Sequence, residues 1–420
     1  MAVDNVRELP WRARLRNTDK GKPLPDEANV DIALRNAPAI AGLVRYNAFS
    51  NRLEITRSPP WREVSPGSQW SDRDDTALMQ WMQREGIQIR SAPSISRCVE
   101  AVAKDAEFHP VHDYLKALVW DGVPRISTWL VRYMGAKGTE EYLGAVGRRW
   151  LISAVARVMR PGCQADHALV LEGLQGAGKS RTARALSVKA EWFADRLPDI
   201  HTTDAAIQLA GVWVVELAEL AAVRKAENEA VKAYLSRTHD NYRPPYGRYR
   251  ISVPRQCVFI GSTNESAYLT DRTGNRRFWP VACGDIDIEY LERDRDQMWA
   301  EAYQAFMNHE PWHLDTDEQR LAADEQEDRV VVSELEREVA VYLDRIETHG
   351  TREIEVKEIL IHACHLEPDK PEYVERAGRI AHQVIRALIT QGWGRKKIVG
   401  RGKNRRNVYE KLQNSQGSLV

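Results

Sequence analysis

Apolar positions recur at helical spacing through the first third of the chain, most clearly over residues 140–159 and also over 75–84 and 95–106. Pro110, Pro124 and the turn Trp120-Asp121-Gly122-Val123 punctuate this helical stretch. At His167 the pattern changes. Ala168-Leu169-Val170-Leu171-Glu172 is a short continuous apolar run, which predicts a buried strand. A glycine-rich turn follows it, and then a helix over residues 180–186. Residues 212–216, 257–261 and 277–281 read as further strands, with helices expected over 228–236 and 288–308. Strands alternating with helices predict an α/β fold with a mainly parallel sheet. Toward the C-terminus, helical patterns over 355–364 and 373–391 precede two strand-like segments, 392–399 and 405–411, around a turn at Gly400-Arg401-Gly402-Lys403-Asn404. Helices followed by a hairpin give the outline of a winged helix.

Charge sharpens this picture more than composition does. The formal net charge is zero, and 43% hydrophobic with 29% charged residues is ordinary for a globular protein. The charges are nevertheless segregated. Residues 315–338 hold ten acidic and three basic residues, whereas residues 395–411 hold eight basic residues and one acidic, Glu410. A basic end of this kind favours nucleic acid. No apolar run approaches the ~20 residues that span a bilayer, and the N-terminus carries no apolar segment of a secretory signal. Five scattered cysteines without a CxxC pair argue against a disulfide framework or a zinc ribbon. The expectation is a cytoplasmic protein with no membrane partner.

The strongest chemical signal is Gly173-Leu174-Gln175-Gly176-Ala177-Gly178-Lys179-Ser180, which fits G-x-x-x-x-G-K-[ST] at every fixed position. Glycines let consecutive backbone N–H groups turn toward phosphate oxygens, and the helix beginning near Lys179 adds the positive end of its dipole. The cofactors expected are ATP and Mg²⁺. Lys179 would reach the β- and γ-phosphates, the Ser180 hydroxyl would ligate Mg²⁺, and Gly173, Gly176, Ala177, Gly178 and Arg181 complete the nucleotide contacts. An acid at the end of another strand is needed to hold the metal and orient water. Glu216 is the first candidate and Glu219 the second. Asn264, ending Phe259-Ile260-Gly261-Ser262-Thr263-Asn264, is a candidate sensor of the γ-phosphate or of the attacking water. Arg276 and Arg277 are candidate transition-state arginines, acting in the same subunit or across an interface.

The strings WDGVPR (120–125), GLQGAGKS, VVELAEL, RPPYGR (243–248), FIGSTN and DRTGNRRFWPV (271–281) occur in an order that resembles the virulence-associated E family. Those are P-loop proteins of phages and other mobile elements, similar to the superfamily 3 helicases. The resemblance runs from about residue 30 to 310. It implies an AAA+-like ATPase, a ring and often a hexamer, that moves on single-stranded DNA during replication of a mobile element. It also implies a pore hairpin between the acidic strand and the sensor strand, where Arg243, Arg248 and Arg250 lie interleaved with Tyr246 and Tyr249. Glu216 and Glu219 are spaced three apart rather than adjacent, which leaves open which one is catalytic.

The expected organisation is a poorly ordered segment 1–30, a helical N-terminal or collar domain 31–160 and a nucleotide-binding domain 161–312. An acidic linker helix 313–338, a winged-helix-like domain 339–412 and a disordered tail 413–420 follow. Arg395, Lys396, Lys397, Arg401, Lys403, Arg405 and Arg406 lie on the wing and are the candidate contacts to single- or double-stranded DNA. Asp72 and Asp74 could suggest primase carboxylates, but Ser71-x-x-Asp74 before a periodic run is a better helix cap. His362, Cys364 and His365 lack partners at zinc-ligand spacing. The function expected is an ATP-hydrolysing DNA motor, replicative helicase or replication initiator. The alternatives are a nucleotide-gated DNA-binding switch with slow hydrolysis and a small-molecule kinase.

Overall fold

The computed structural model describes residues 10–197, 199, 200, 202, 204–218, 225–243, 249–269, 274–399 and 406–412. The chain divides into two compact units, Met1–Arg329 and Val330–Val420.

The first unit begins with a hydrophobic core of its own. It is built by α1 (Glu27–Asn36), the hairpin β1 (Val44–Asn47) and β2 (Arg52–Ile55), α2 (Asp72–Arg84) and α3 (Ala92–Asp105) around Val30, Leu34, Leu78, Met82, Ile95 and Val99. Caps fix the helix starts. The Asp26 carboxylate accepts the Asn29 N–H at 3.0 Å, and Ser71 with Asp74 forms a capping box. Residues 10–30 correct the expectation of a poorly ordered start. The side chain of Asn29, fully buried, donates to the carbonyls of Arg16 (2.8 Å) and Leu24 (2.9 Å) and accepts the Arg16 N–H (2.8 Å). One buried amide thus stitches an otherwise polar segment onto α1. Residues 1–9 lie outside the described residues.

The second core of this unit starts earlier than the expected boundary near 160. α4 (Pro110–Ala117), α5 (Trp129–Met134) and α6 (Glu140–Met159) pack with the α/β elements, not with the N-terminal core. The chain continues through β3 (Ala168–Glu172), α7 (Lys179–Leu186), β4 (Phe193–Ala194), α8 (Asp204–Gln208), β5 (Val214–Leu217) and α9 (Lys225–Leu235). Then come the antiparallel pair β6 (His239–Tyr242) and β7 (Ile251–Pro254), β8 (Val258–Thr263), β9 (Phe278–Ala282), α10 (Ile288–Met307) and α11 (Thr316–Asp328). β4, β5, β8, β3 and β9 form a parallel five-stranded sheet in that spatial order. Every residue of β3 and β5 is buried, as a sheet covered on both faces requires. Indole N–H groups bind the layers together: Trp150 donates to the Phe259 carbonyl (2.8 Å), Trp213 to Ala154 (2.9 Å) and Trp299 to Leu186 (3.1 Å).

The acidic segment is not one linker helix. α11 packs on β9, with Ala322 buried and the Gln326 amide donating to the Phe278 carbonyl at 2.9 Å. The second unit then starts with α12 (Glu334–Thr348) and continues through β10 (Glu353–Glu355), α13 (Val356–His362), α14 (Tyr373–Thr390), β11 (Trp393–Val399) and β12 (Arg406–Lys411). Its three strands pair antiparallel in the order β10-β12-β11, over a core that includes Val339, Leu343, Ile359, Val384, Leu388 and Trp393. Among the described residues, no helix is long and apolar enough to cross a membrane.

Two buried histidines make stability depend on pH. Burial pushes His109 down to about 4 from 6.5, and burial holds His167 well below that ordinary value. Both are neutral in the fold, so below about pH 6.5 the unfolded chain binds protons that the folded chain refuses. Stability is therefore lost as pH falls from about 6.5 toward 4. We expect Tm to drop between about pH 7 and pH 5, and His109→Gln to shrink that drop. An unchanged drop in the variant would remove His109 from this account.

Candidate functional site

The site is assembled at the carboxyl edge of the central sheet, where ligands bind in open α/β folds. β3 ends at Glu172, and the chain turns through residues 173–178 before α7 starts at Lys179. Gly176 and Gly178 have φ of 81° and 107°, a region that L side chains rarely adopt, so this turn needs glycine. The turn is anchored to its neighbours by main-chain bonds: Gly173 N–H donates to the Thr263 carbonyl (3.3 Å), and Cys283 N–H donates to that of Glu172 (2.9 Å).

Lys179 is buried, and its ammonium donates to the carbonyls of Gly173 (2.7 Å) and Leu174 (2.8 Å) and to Oδ1 of Asn264 (3.0 Å). Burial lowers its pKa, with Cys283 and Glu216 opposing. Burial likewise pushes the nearby Cys283 thiol up to about 12. Glu216, the third residue of β5, is buried, and one carboxylate oxygen accepts both the Ser180 hydroxyl (2.6 Å) and the Ser262 hydroxyl (2.7 Å). Lys179, Ser180, Glu216 and Asn264 are thus brought together from α7, β5 and the end of β8. Ser262 joins them unannounced. Its only signal in the sequence is its place two residues before Asn264 on an apolar strand.

The two candidate arginines lie elsewhere. β9 runs parallel to β3 with Phe278 opposite Ala168, so Arg276 and Arg277 sit at the amino edge of the sheet. Five paired residues separate that edge from the turn, roughly 15 Å at about 3.3 Å per residue. Arg277 donates through Nε to the Ser236 hydroxyl (2.8 Å) and lies 3.9 Å from Asp166, while Arg276 is exposed. Reach to the turn of the same chain is thereby removed. Arg181 is exposed on the first turn of α7. Arg243, Tyr249 and Arg250 are exposed where the segment joining β6 to β7 leaves and re-enters the pair, and Tyr249 is 78% exposed. Arg395 is exposed on β11. Glu219, Arg248, Arg401, Lys403 and Arg405 lie outside the described residues, as do the side chains of Lys396, Lys397 and Arg406.

Behind the turn is a buried ion pair that sequence reading missed. The Glu172 carboxylate accepts the Tyr268 hydroxyl (2.8 Å) and, from Arg329, Nε–H (3.0 Å) and an Nη2–H (3.2 Å). The Arg329 carbonyl in turn accepts the N–H groups of Tyr268 and Leu269, both at 3.0 Å. Arg329 therefore fixes both the strand end before the turn and the loop after Asn264. Removing it would leave Glu172 buried without its cation. Arg329→Ala is expected to lower the unfolding free energy by about 3 kcal/mol in urea titration. Adding Glu172→Gln should recover part of that loss, and no recovery would show that packing, not charge, is what Arg329 contributes.

No curated protein matches the chain. Among solved structures, the apo structure of the NrS-1 C-terminal region (305–718) aligns at 14% identity with a TM-score of 0.42, covering 88% of this chain and 95% of that one. The A-form apo structure of the same region aligns at 12% identity and a TM-score of 0.41, covering 88% and 96%. The virulence-associated protein E-like domain matches residues 115–331, just over half of the chain, from within α4 to just beyond Arg329. The chain belongs to the virulence-associated protein E-like domain family.

Proposed function

We propose that this protein is an ATP-hydrolysing DNA motor or replication initiator of a phage or mobile element, working as a ring oligomer, in the expected form a hexamer. The observation that carries this reading is the convergence of Lys179, Ser180, Glu216, Ser262 and Asn264 at one sheet edge beside a glycine turn. These residues fit a magnesium nucleotide. A desolvated ammonium held by loop carbonyls suits exchange onto phosphate oxygens, and two hydroxyls converging on one carboxylate are the hard oxygen donors that Mg²⁺ prefers. When bound, the magnesium nucleotide supplies the phosphoanhydride to be cleaved and the charge that neutralises it.

In this reading Lys179 would exchange the loop carbonyls for the phosphates, and Ser180 would hold the metal. Glu216, released from the two hydroxyls, would help hold the metal or orient water, and Asn264 would hydrogen-bond that water or the terminal phosphate. Glu219 remains the second candidate for the acid. Because Arg276 and Arg277 sit at the far edge, their role is proposed across a subunit interface, where they would stabilise charge at a neighbour's site. Exposed Arg243, Tyr249 and Arg250 on the β6–β7 pair support a DNA-gripping hairpin. The order helix, strand, helix, helix, strand, strand in the second unit supports a winged helix with Arg395 and its basic neighbours on the wing.

The test is ATP hydrolysis with and without single-stranded DNA at low salt, beside Lys179→Ala. Severalfold stimulation by DNA is expected, with hydrolysis lower in the variant by on the order of a hundredfold. Arg277→Ala should keep ATP binding and lose hydrolysis. Hydrolysis indifferent to DNA would point to a small-molecule enzyme, and negligible hydrolysis with tight DNA binding to a switch.

A further inference from the structure

A second polar cleft, of about 540 Å³, lies within the first unit between the β1–β2 hairpin and the segments that follow α7 and α8. Strand periodicity builds one wall. Arg45 pairs with Glu54 and Asn47 with Arg52, so these four residues share one face of the hairpin. Val44 and Ile55 on the other face are buried in the N-terminal core, with Tyr46 and Leu53 packed against it. The opposite wall carries Lys189, Glu191, Trp192 and Gly211. The walls are fixed to each other, because Gly211 N–H donates to the Phe49 carbonyl at 2.9 Å. A Cβ on Gly211 would also meet that of Ser50 at 2.9 Å.

The chemistry of this cleft is cationic with free donors. The Arg45 guanidinium lies over the Phe108 ring, 3.9 Å from its centroid, and that ring is held beside β1 by main-chain bonds from Phe108 N–H to the Tyr46 carbonyl and from Ala48 N–H to the Phe108 carbonyl, both 3.0 Å. Stacking positions the guanidinium plane and leaves its N–H groups unspent. Among the described residues, neither Arg45 nor Arg52 is in an ion pair, and both border the cleft. Lys189 lies 4.9 Å from the Trp192 ring centroid. Of the two acids, Glu54 already accepts the Asn47 amide at 2.5 Å, and Glu191 is 4.0 Å from Lys189. Ser50, in the turn between β1 and β2, also borders the cleft, with its hydroxyl buried and without a hydrogen-bond partner.

We propose that this cleft binds the phosphates of a nucleotidyl ligand, with Arg45 and Arg52 as the bidentate donors and Lys189 completing the set. Guanidinium forks match phosphate oxygens, and the volume admits a single nucleotide unit. The site is separate from the glycine turn, and Lys189 lies three residues beyond the end of α7, the helix that starts with Lys179. The phosphates can come from a nucleic-acid strand or from a free nucleotide, and two arms of one experiment distinguish these sources.

The first arm measures binding of a fluorescein-labelled oligo-dT to the full chain by anisotropy across a salt series. For a strand in the cleft, Arg45→Ala/Arg52→Ala weakens binding about tenfold and reduces the slope of log K against log salt by about 1.4, two single-strand phosphates' worth. The second arm titrates inorganic pyrophosphate calorimetrically into Lys179→Ala, where the glycine turn is disabled. Binding there that vanishes on adding the two arginine substitutions supports the free-nucleotide source. Both arginines are exposed, and an unchanged Tm verifies that the variant is folded. If oligo-dT affinity, its salt slope and pyrophosphate binding all survive the substitutions, or if no such binding exists to lose, the proposal is overturned.

Discussion

A sheet whose strands all run the same way offers neither face to water, and the first unit is organised around meeting that demand. The chain supplies α6, one of its most apolar helices, against β3 and β8, and the indole donors of Trp150, Trp213 and Trp299 find main-chain carbonyls across the layers. Leaving such donors unpaired in the interior costs about 1–3 kcal/mol each, so their pairing constrains how the layers can sit. With the layers fixed, the carboxyl ends of β3, β5 and β8 have one arrangement. The chemistry of the candidate site is a consequence of it.

At that edge the polar groups are few and share partners. One Glu216 oxygen receives two hydroxyls, and one ammonium is divided among two carbonyls and an amide. Each group holds another in place in low dielectric, where unpaired polarity is costly. Arg329 performs a similar task one layer behind, through the buried carboxylate of Glu172. The family match runs to residue 331 and so includes this arginine with the strand end that it holds.

The N-terminal region shows the same economy with different materials. Its hairpin has one apolar face, used for packing, and one polar face that borders a cleft. A two-stranded element of four residues per strand is marginal alone, and here it is held by the N-terminal core and by the main-chain bonds of Phe108.

The sequence by itself determined the elements with a strong local period and the turn with a strict chemical requirement. α6 runs from Glu140 to Met159 as its spacing dictates, β3 coincides with its apolar run, and β5, β8, β9 and α10 lie within a few residues of their expected bounds. Helical and strand periods are properties of neighbouring residues, which is why they are legible without a fold. The glycines of the turn were legible for the same reason. Short pieces without a continuous apolar run were not: β1, β2, β6, β7 and β10 are three or four residues long and carry mixed polar and apolar residues, too few for a period to emerge. Tertiary structure alone decided what those elements bring together. Ser262 meets Glu216 across 46 residues and Arg329 meets Glu172 across 157, while Arg277, close to the sensor strand in sequence, ends at the opposite edge of the sheet. Asn29 orders a polar segment because it is buried, a fact no local pattern carries. Strand order and burial set these pairings, and both belong to the whole chain's packing, not to any stretch of it.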